Sequence, residues 1–545
     1  MVGAQALRVP APASIDTIFT RYDSATTPGC AVAVVVRDSV VFRKAYGMAH
    51  IGFKVPMTMA TTTWIPYSEA RIFTALAVAM LARDGTISLD DPIRHHFPEL
   101  PAYAGAVTVR HLLHHRSGLV DYGVLDPGFD LSDRMAEDAV FRILAQWGKL
   151  EFAPGRGHVY SNTDYALLRM LVERVTRRSL HDVLHERVFK PLGMLHTRIG
   201  VDQGAVAPAH GLFHEVVPGG WRNLLRYRVS PVGGIAVTTN ADDLTTWARA
   251  LRNPATGFTA LLASLEPGAT DAARTDGFAY GIYPGQGRGR RQIEYRGVGN
   301  YIYLTRVPED DLAVVTVCNA YGGMERFGPD VAALFAKPVD AAVRVPQQPV
   351  PTVAVPVDAL RRYVGEYVLM DGRATGVHVT LPDSVLIITL PNQSGAPARA
   401  TGEDRFEFVI PKVGTFDFTF APSDSTPGGL LVTGTVVESG EVAGPALRRK
   451  VTRPPTPTTV LREYAGTYVG DSIEATLHVS IEGERVIIAA RGLQRTELQP
   501  HLDADSFRFS YYVARFQRDA AGAVTHLTLD ATRVKNMRYT RRAAR

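Results

Sequence analysis

One stretch decides both the fold and the chemistry of this chain: residues 67–81 read Tyr67-Ser68-Glu69-Ala70-Arg71-Ile72-Phe73-Thr74, followed by Ala-Leu-Ala-Val-Ala-Met-Leu. The apolar run after Arg71 predicts a buried helix with Ser68 at its amino-terminal end. Side chains three residues apart share a helix face, so we expect Ser68 and Arg71 to point into the same cavity, near the positive end of the helix dipole. Because a guanidinium has no acceptor atom and stays charged in proteins, Arg71 cannot serve as a base.

The composition is that of a multidomain globular protein. The chain has 545 residues, 46% of them hydrophobic, which is enough for several well-buried cores. The formal net charge of +5 is spread along the chain, and neither a basic stripe nor an aromatic RNA-reading motif accompanies it. We therefore expect no nucleic-acid partner, and a small molecule or a short peptide as substrate; the oligomeric state stays open.

Nothing in the sequence predicts a membrane span or an export signal. No stretch approaches the roughly 18–20 consecutive apolar residues of a membrane helix, and residues 1–14 lack the apolar middle of a secretory leader. The default expectation is a cytoplasmic protein, and a secreted or periplasmic location stays open if a leader was removed. Two cysteines, Cys30 and Cys318, are too few for a disulfide framework or a multi-cysteine zinc module. Each lies beside an apolar run, which predicts small core residues.

Residues 1–342 mix strand and helix patterns. Besides the helix after Ser68, the predicted elements are hairpin strands at 31–36 and 39–42, helices at 164–174 and 241–251, and late strands at 301–304 and 312–317. An early hairpin, a helical middle and late strands predict an α+β domain whose sheet is closed by both ends of the segment.

Two proline-rich linkers, 343–357 and 453–458, bracket the rest of the chain. They separate two modules, 358–452 and 459–545, that are rich in alternating polar and apolar residues. The modules open on similar phrases, Leu-Arg-Arg-Tyr-Val-Gly-Glu-Tyr at 360–367 and Leu-Arg-Glu-Tyr-Ala-Gly-Thr-Tyr at 461–468. This duplication predicts two small antiparallel β-barrels.

A second chemical element is the loop 154–162, Pro-Gly-Arg-Gly-His-Val-Tyr-Ser-Asn. The phenol of Tyr160 can act as a base where nearby cations favour its anion, and Asn162 can donate to a carbonyl group of a substrate. An isolated Tyr-Ser-Asn is more often structural. His111, His114 and His115 have a spacing found in metal sites, but no glutamate accompanies them as in His-Glu-x-x-His, so we expect no metal there.

The combination of motifs is more specific than any one of them. After Ser68 come Asp-Asp-Pro at 90–92, Leu-Leu-His-His-Arg-Ser-Gly-Leu at 112–119, the Tyr160 loop, Pro-Leu-Gly-Met at 191–194, Gly-Gly-Ile at 233–235 and Tyr-Gly at 280–281. In this order the chain resembles the serine β-lactamase and penicillin-binding protein superfamily, in its class C-like branch, over about residues 15–335. Its layout is most similar to that of D-aminopeptidase-type serine hydrolases, which implies an antiparallel sheet flanked by helices and followed by two small barrels.

The resemblance implies roles for individual residues. Ser68 matches the acyl-accepting nucleophile, Tyr160 the family tyrosine and Asn162 the substrate-holding asparagine, while Arg71 stands where the family has lysine. The family has three characteristic motifs, or boxes: the serine with its lysine, the tyrosine with its asparagine, and a third that usually reads His-x-Gly or Lys-Thr-Gly. The third box is best matched by Tyr295-Arg296-Gly297. Two of the three boxes are thus altered, with arginine in place of lysine and tyrosine in place of histidine. The resemblance also implies that neither a metal nor an organic cofactor is required.

These matches predict an enzyme, a serine hydrolase or acyl transferase that acts on an amide or ester bond through an acyl-enzyme at Ser68, in peptidase-like or esterase-like fashion. The proton of Ser68 would pass to Tyr160, helped by Arg71 and Arg296. Two alternatives stay open. The pocket lined by Tyr67, the other tyrosines and the arginines could serve a non-acylating isomerase, lyase or cyclase, or the chain could be an inactive binding homologue. In a purely structural interpretation, Ser68 caps its helix and Arg71 forms an ion pair with Glu69 or Asp164.

Overall fold

The computed structural model describes most of the chain. The described residues are 9–65, 71–125, 137–199, 210–217, 220–223, 237–264, 282–287, 290–296, 302–321, 327–335, 353–369, 376–389, 395–410, 414–422, 430–436, 447–449, 457–472, 475–490, 493–501, 505–509, 512–531 and 534–542. The chain divides into two compact units. The first contains Met1–Gly123 and Leu131–Arg344, and the second contains Val124–Asp130 and Val345–Arg545.

The first unit contains eleven described helices and fifteen described strands. The helices are α1 (Pro12–Phe19), α2 (Arg71–Arg83), α3 (Ile93–His96), α4 (Val109–Leu113), α5 (Glu137–Trp147), α6 (Asn162–Thr176), α7 (Leu180–Leu184), α8 (Lys190–Leu192), α9 (Ala241–Arg252), α10 (Phe258–Ser264) and α11 (Phe327–Phe335). The strands are β1 (Cys30–Val36), β2 (Ser39–Tyr46), β3 (Met48–His50), β4 (Val55–Pro56), β5 (Thr62–Ile65), β6 (Arg198–Ile199), β7 (His210–Gly211), β8 (His214–Val217), β9 (Gly220–Asn223), β10 (Val237–Thr239), β11 (Ile282–Gly287), β12 (Arg290–Arg296), β13 (Ile302–Val307), β14 (Leu312–Cys318) and β15 (Ala320–Tyr321).

A six-stranded antiparallel sheet with the order β11-β12-β13-β14-β1-β2 is the centre of this unit. Strand β1 pairs with β14 along its whole length, from Cys30 opposite Cys318 to Val36 opposite Leu312. One face of the sheet packs on α1 and α11, and α9 packs on β1 and β14. The predicted α+β domain, with its sheet closed by the early and the late strands, is confirmed.

The two cysteines form a disulfide. Cys30 and Cys318 lie directly opposite each other, with Cα atoms 4.0 Å apart, and both are buried. The sequence predicted small core residues, which their burial confirms, but it gave no sign of the bond. The register that pairs the two residues is a property of the folded sheet, and a separation of 288 residues carries no pairing signal.

Helix α2 lies inside the helical part of the unit. All of its residues from Arg71 to Leu81 are buried, and the helix packs against α6, α7 and α10. The short run of alanines, Ala75, Ala77 and Ala79, has no side chain beyond Cβ, which suits close contact with neighbouring helices. The amino-terminal end of α2 is thereby fixed next to α6 and the Tyr160 loop.

The second unit contains two eight-stranded closed barrels. The first follows α12 (Val357–Leu360) and consists of β16 (Gly365–Leu369), β17 (Gly376–Thr380), β18 (Ile387–Thr389), β19 (Ala396–Gly402), β20 (Arg405–Ile410), β21 (Gly414–Pro422), β22 (Leu430–Val436) and β23 (Leu447–Arg449). The second follows α13 (Thr458–Glu463) and consists of β24 (Gly466–Gly470), β25 (Thr476–Glu482), β26 (Arg485–Ala490), β27 (Leu493–Pro500), β28 (Ser506–Phe509), β29 (Tyr512–Arg518), β30 (Val524–Asp530) and β31 (Met537–Arg541).

The duplicated phrase makes the same contacts in both barrels. Each copy carries two buried tyrosines: the hydroxyl of the first donates to an aspartate, and that of the second donates to the backbone carbonyl of the first. The bonds are Tyr363 to Asp404 at 2.6 Å, Tyr367 to Tyr363 O at 2.7 Å, Tyr464 to Asp505 at 2.6 Å and Tyr468 to Tyr464 O at 2.7 Å. The exact limits of the modules stay predictions, because much of the two proline-rich segments lies outside the described residues. No helix in the described part of the chain is long and apolar enough to cross a membrane.

Candidate active site

Arg71 is the first described residue of α2, and its side chain is completely buried. Ser68 and Tyr67 precede it in the chain and lie outside the described residues, as do Gly297 and the side chain of Arg296. The described part of the site consists of Arg71 and its neighbours.

The guanidinium of Arg71 contacts both predicted members of the Tyr160 loop. Its Nη2 donates to Asn162 Oδ1 over 2.6 Å, and its Cζ lies 4.2 Å from the centre of the Tyr160 ring. The Tyr165 ring lies 4.8 Å away on the next turn of α6. A cation over desolvated aromatic rings is stabilised by their quadrupoles, which fixes the guanidinium in place. Arg71, Tyr160 and Asn162 are thus brought together, while their catalytic roles stay predictions.

Asn162 is held on its other side by Asp121. The Asn162 backbone N–H and the side-chain Nδ2 both donate to Asp121 Oδ1 over 3.1 Å. This arrangement fixes the amide orientation, since the reverse would place the amide nitrogen against the guanidinium and the amide oxygen against the carboxylate. The backbone of Gly123 comes so close that a Cβ there would lie 2.3 Å from Asn162 Nδ2. The whole amide of Asn162 is therefore engaged by protein groups.

A second branch runs from Arg71 through His115. Nη1 of Arg71 lies 3.3 Å from His115 Nε2, and His115 Nδ1 lies 3.1 Å from Asp164 Oδ2. The hydroxyl of Ser117 donates to Asp164 Oδ1 over 2.5 Å. Burial raises the pKa of Asp164 well above its usual range, whereas the Ser117 hydroxyl opposes this increase. All four side chains are buried.

His115 has an uncommon backbone conformation. Its φ of +55° lies in the left-handed region, where residues with a Cβ are rare, and it follows the end of α4. The Val159 N–H donates to the His115 carbonyl over 3.0 Å, which ties this turn to the loop that carries Tyr160. Unusual backbone conformations persist where the surrounding contacts determine them.

The tyrosines of the site differ in their fitness as proton acceptors. Burial raises the pKa values of Tyr122 and Tyr165 above their usual range, so both phenols keep their protons at neutral pH. Tyr160 is only half-buried. Among these three phenols it is the most exposed.

Tyr295, from the predicted third box, lies on β12 and is 7% exposed. Its hydroxyl is 3.5 Å from Arg306 Nη1. On the neighbouring strand β13, Tyr295 pairs with Leu304, and Arg306 lies two residues beyond Leu304. The ring also lines a cavity of about 20 Å³ beneath α2, together with Phe73 and Trp247. That volume holds about one water molecule, and a substrate-binding role of Tyr295 stays a prediction.

Two of the three histidines near α4 have separate partners. His111 Nδ1 accepts the N–H of Thr108 at the start of α4, and His115 belongs to the Arg71 branch. Among the described residues no group of three or more His, Cys, Asp or Glu side chains could hold a metal ion. Sequence reasoning considered His115 only as a possible metal ligand and therefore missed its contact with Arg71. The available signal was its place in the Leu-Leu-His-His-Arg-Ser-Gly-Leu motif.

The antiparallel sheet, the buried helix after Ser68 and the Tyr-Ser-Asn loop beside it define the β-lactamase and transpeptidase class of proteins. The chain belongs to the Beta-lactamase family, whose sequence profile it matches over residues 15–337. The resemblance inferred from the motifs is thereby confirmed. Membership in this superfamily of serine hydrolases supports acyl-enzyme chemistry in general terms.

Two relatives and one solved structure extend this picture. The chain is 26% identical over 403 residues to a penicillin-binding protein of Bacillus subtilis (strain 168), covering 67% of this chain and 85% of that protein. It is 24% identical over 538 residues to a D-aminopeptidase of Brucella melitensis, covering 94% of this chain and 96% of that protein. The octameric penicillin-binding protein homologue from Pyrococcus abyssi superposes with a TM-score of 0.51 at 18% identity, over 80% of this chain and 98% of that one, which shows the fold alone.

Proposed function

We propose that this chain is a serine hydrolase or acyl transferase that forms an acyl-enzyme at Ser68. The Ser68 hydroxyl attacks the carbonyl carbon of an amide or ester, and its proton passes to the phenolate oxygen of Tyr160. The tetrahedral intermediate expels an amine or alcohol, which takes that proton from Tyr160. Water or an acceptor alcohol then attacks the ester at Ser68 by the same route in reverse.

One observation carries the proposal: the guanidinium of Arg71 lies over the ring of Tyr160, three residues after Ser68 in the chain. The contact fixes the cation beside the ring, where it stabilises negative charge that develops nearby in the transition state. Arginine cannot take the proton itself, so the base has to be another group. The more buried phenols of Tyr122 and Tyr165 hold their protons too firmly for that task.

For the substrate we propose an amide or ester with a D-configured residue on the acyl side. The support is the full-length similarity to a D-aminopeptidase, which includes the region of both barrels. The proposal predicts release of amine from short D-amino acid amides. Equal or faster release from the L-enantiomers would contradict the stereochemical part.

Covalent labelling tests the proposal directly. The oxygen of an activated serine displaces fluoride from a fluorophosphonate, which adds the phosphonyl group at Ser68, and Ser68→Ala is the control. We expect labelling of the wild type, no labelling of the control, and at least about 100-fold slower labelling of Tyr160→Phe, since general-base contributions of that size are typical. Labelling of wild type and Ser68→Ala alike would refute the assignment.

A binding homologue without turnover is the second candidate. Two observations favour it: the position of the family lysine holds a residue that cannot accept a proton, and Asn162 is engaged by Arg71 and Asp121. This candidate predicts that D-amino acid amides bind, as measured by calorimetry, while Ser68 stays unlabelled.

A further inference from the structure

Arg71 carries a positive charge at a point that solvent does not reach, with an exposed fraction of 0%. Among the described residues, no carboxylate contacts it directly. Two carboxyl groups lie one side chain further away, Asp121 behind the amide of Asn162 and Asp164 behind the ring of His115. A buried charge is strongly unfavourable unless opposite charges or oriented dipoles compensate it. The two neutral side chains between Arg71 and the carboxyl groups therefore provide the compensation.

The contact with Arg71 determines which nitrogen of His115 carries the proton. Nη1 can only donate, so Nε2 at 3.3 Å has to accept with its lone pair. The proton of a neutral ring is then on Nδ1, where Asp164 Oδ2 at 3.1 Å accepts it. The Ser161 nitrogen is also 3.2 Å from Nδ1, but a protonated Nδ1 cannot accept its N–H. The bond from a charged donor is the stronger of the two competing bonds, so Arg71 decides the tautomer.

The turn at His115 is built to hold this ring in place. Its left-handed backbone is tied to Val159, and Ser117 orients Asp164, which in turn orients the imidazole. The tilted ring of Tyr160 also lies 4.7 Å from the imidazole centre. The imidazole thus has fixed neighbours on the Asp164 side, on the Tyr160 side and at Arg71.

We infer that His115 is the positioning residue for Arg71: with its proton on Nδ1, it accepts a hydrogen bond at Nε2 and holds the guanidinium over the ring of Tyr160. The role in reactivity rests on the proposed function, because it acts through the base Tyr160. The tautomer and the hydrogen bond do not depend on that function. His115 itself touches no reacting atom in this scheme.

Two substitutions separate this role from a structural one. In His115→Gln, the amide oxygen can still accept from Arg71, whereas in His115→Asn the amide can still donate to Asp164 but does not reach Arg71. We expect His115→Gln to keep the rate of fluorophosphonate labelling at Ser68 within about threefold, and His115→Asn to lose about tenfold or more, as loss of one hydrogen bond from a charged donor implies. The comparison is stringent, because the left-handed φ of +55° favours asparagine over glutamine.

The control is His214→Gln, the same substitution at another buried histidine that lies on β8. We expect its labelling rate to stay within about twofold of the wild type, since one buried contact is exchanged for a similar one. Equal rates for the two His115 variants, or faster labelling of His115→Asn, would overturn the positioning role.

A second measurement decides the inference without any activity. In protein labelled with ¹⁵N-histidine, the His115 signal is identified by its disappearance in His115→Gln. We expect a neutral ring with the proton on Nδ1 in the wild type at neutral pH. A proton on Nε2 overturns the inference, whatever the reactivity of Ser68. If the wild type resists labelling while Nδ1 carries the proton, the proposed function fails and the link between His115 and Arg71 stands.

Discussion

Replacing Arg71 by methionine is expected to destabilise the first unit by about 2–6 kcal/mol, because two buried hydrogen-bond acceptors lose their donor. The side chain is fully buried, and its loss leaves Asn162 Oδ1 and His115 Nε2 as unpaired acceptors. Each such acceptor costs about 1–3 kcal/mol. Methionine has a similar length and adapts to irregular space, so the contribution of a cavity is small.

Tryptophan fluorescence in a urea titration measures this effect selectively. All four tryptophans, at positions 64, 147, 221 and 247, lie in the first unit, so unfolding of the barrels does not contribute to the signal. The matched control is Arg83→Met at the exposed end of the same helix, where the arginine pairs with Asp84 and the expected loss is below about 1 kcal/mol. If Arg71→Met unfolds at the same urea concentration as the control, the guanidinium does not occupy the hydrogen-bonded position described here.

Three further predictions concern other parts of the first unit. The Cys30–Cys318 bond closes a loop of 288 residues, so the double variant Cys30→Ala, Cys318→Ala is expected to lose about 4–6 kcal/mol of stability. The unreduced wild type, unfolded in urea, is expected to show no free thiol. Two titratable thiols would contradict the bond. Burial lowers the pKa of His214 to about 4, whereas its pKa in the unfolded chain is near 6.5. The neutral imidazole therefore contributes about 2–3 kcal/mol of stability above pH 6.5, and this contribution is lost as the pH falls toward 4. Over that range the urea midpoint of His214→Gln should fall less than that of the wild type. Gly123→Ala forces the amide of Asn162 to move away from Arg71 and Asp121, so it should slow fluorophosphonate labelling about tenfold or more and lower the urea midpoint. An unchanged rate would show that the amide is free to relocate.

Local patterns sufficed for the elements with strong local signals. The apolar run after Arg71 predicted α2, and Asn240 before an amphipathic segment predicted α9, whose first turn it caps by accepting the N–H of Asp243. The repeated tyrosine phrase predicted a duplication that extends to identical hydrogen bonds in both barrels. In each case the residues that determine the structure are neighbours in sequence.

The contacts of the site could be predicted only in part. Residue types suggested that Arg71 would lie near Tyr160 and Asn162, and the structure brings these three together. The link from Arg71 to His115 depends on the left-handed turn after α4 and on the packing of α4 against α6, neither of which a linear pattern encodes. A direct ion pair with Asp164, considered from sequence, is replaced by a contact through the imidazole.

The position of β1 between β2 and β14 has a consequence for biosynthesis. The early hairpin leaves the ribosome with one edge of an almost wholly buried, valine-rich strand unpaired, and the partner of that edge is made only when Leu312–Cys318 has been translated. An unpaired apolar edge is an aggregation hazard, and the strand order leaves nascent chains of the first unit exposed to it until that point. Each barrel, in contrast, joins strands that follow one another in the chain and can close soon after its last strand has emerged.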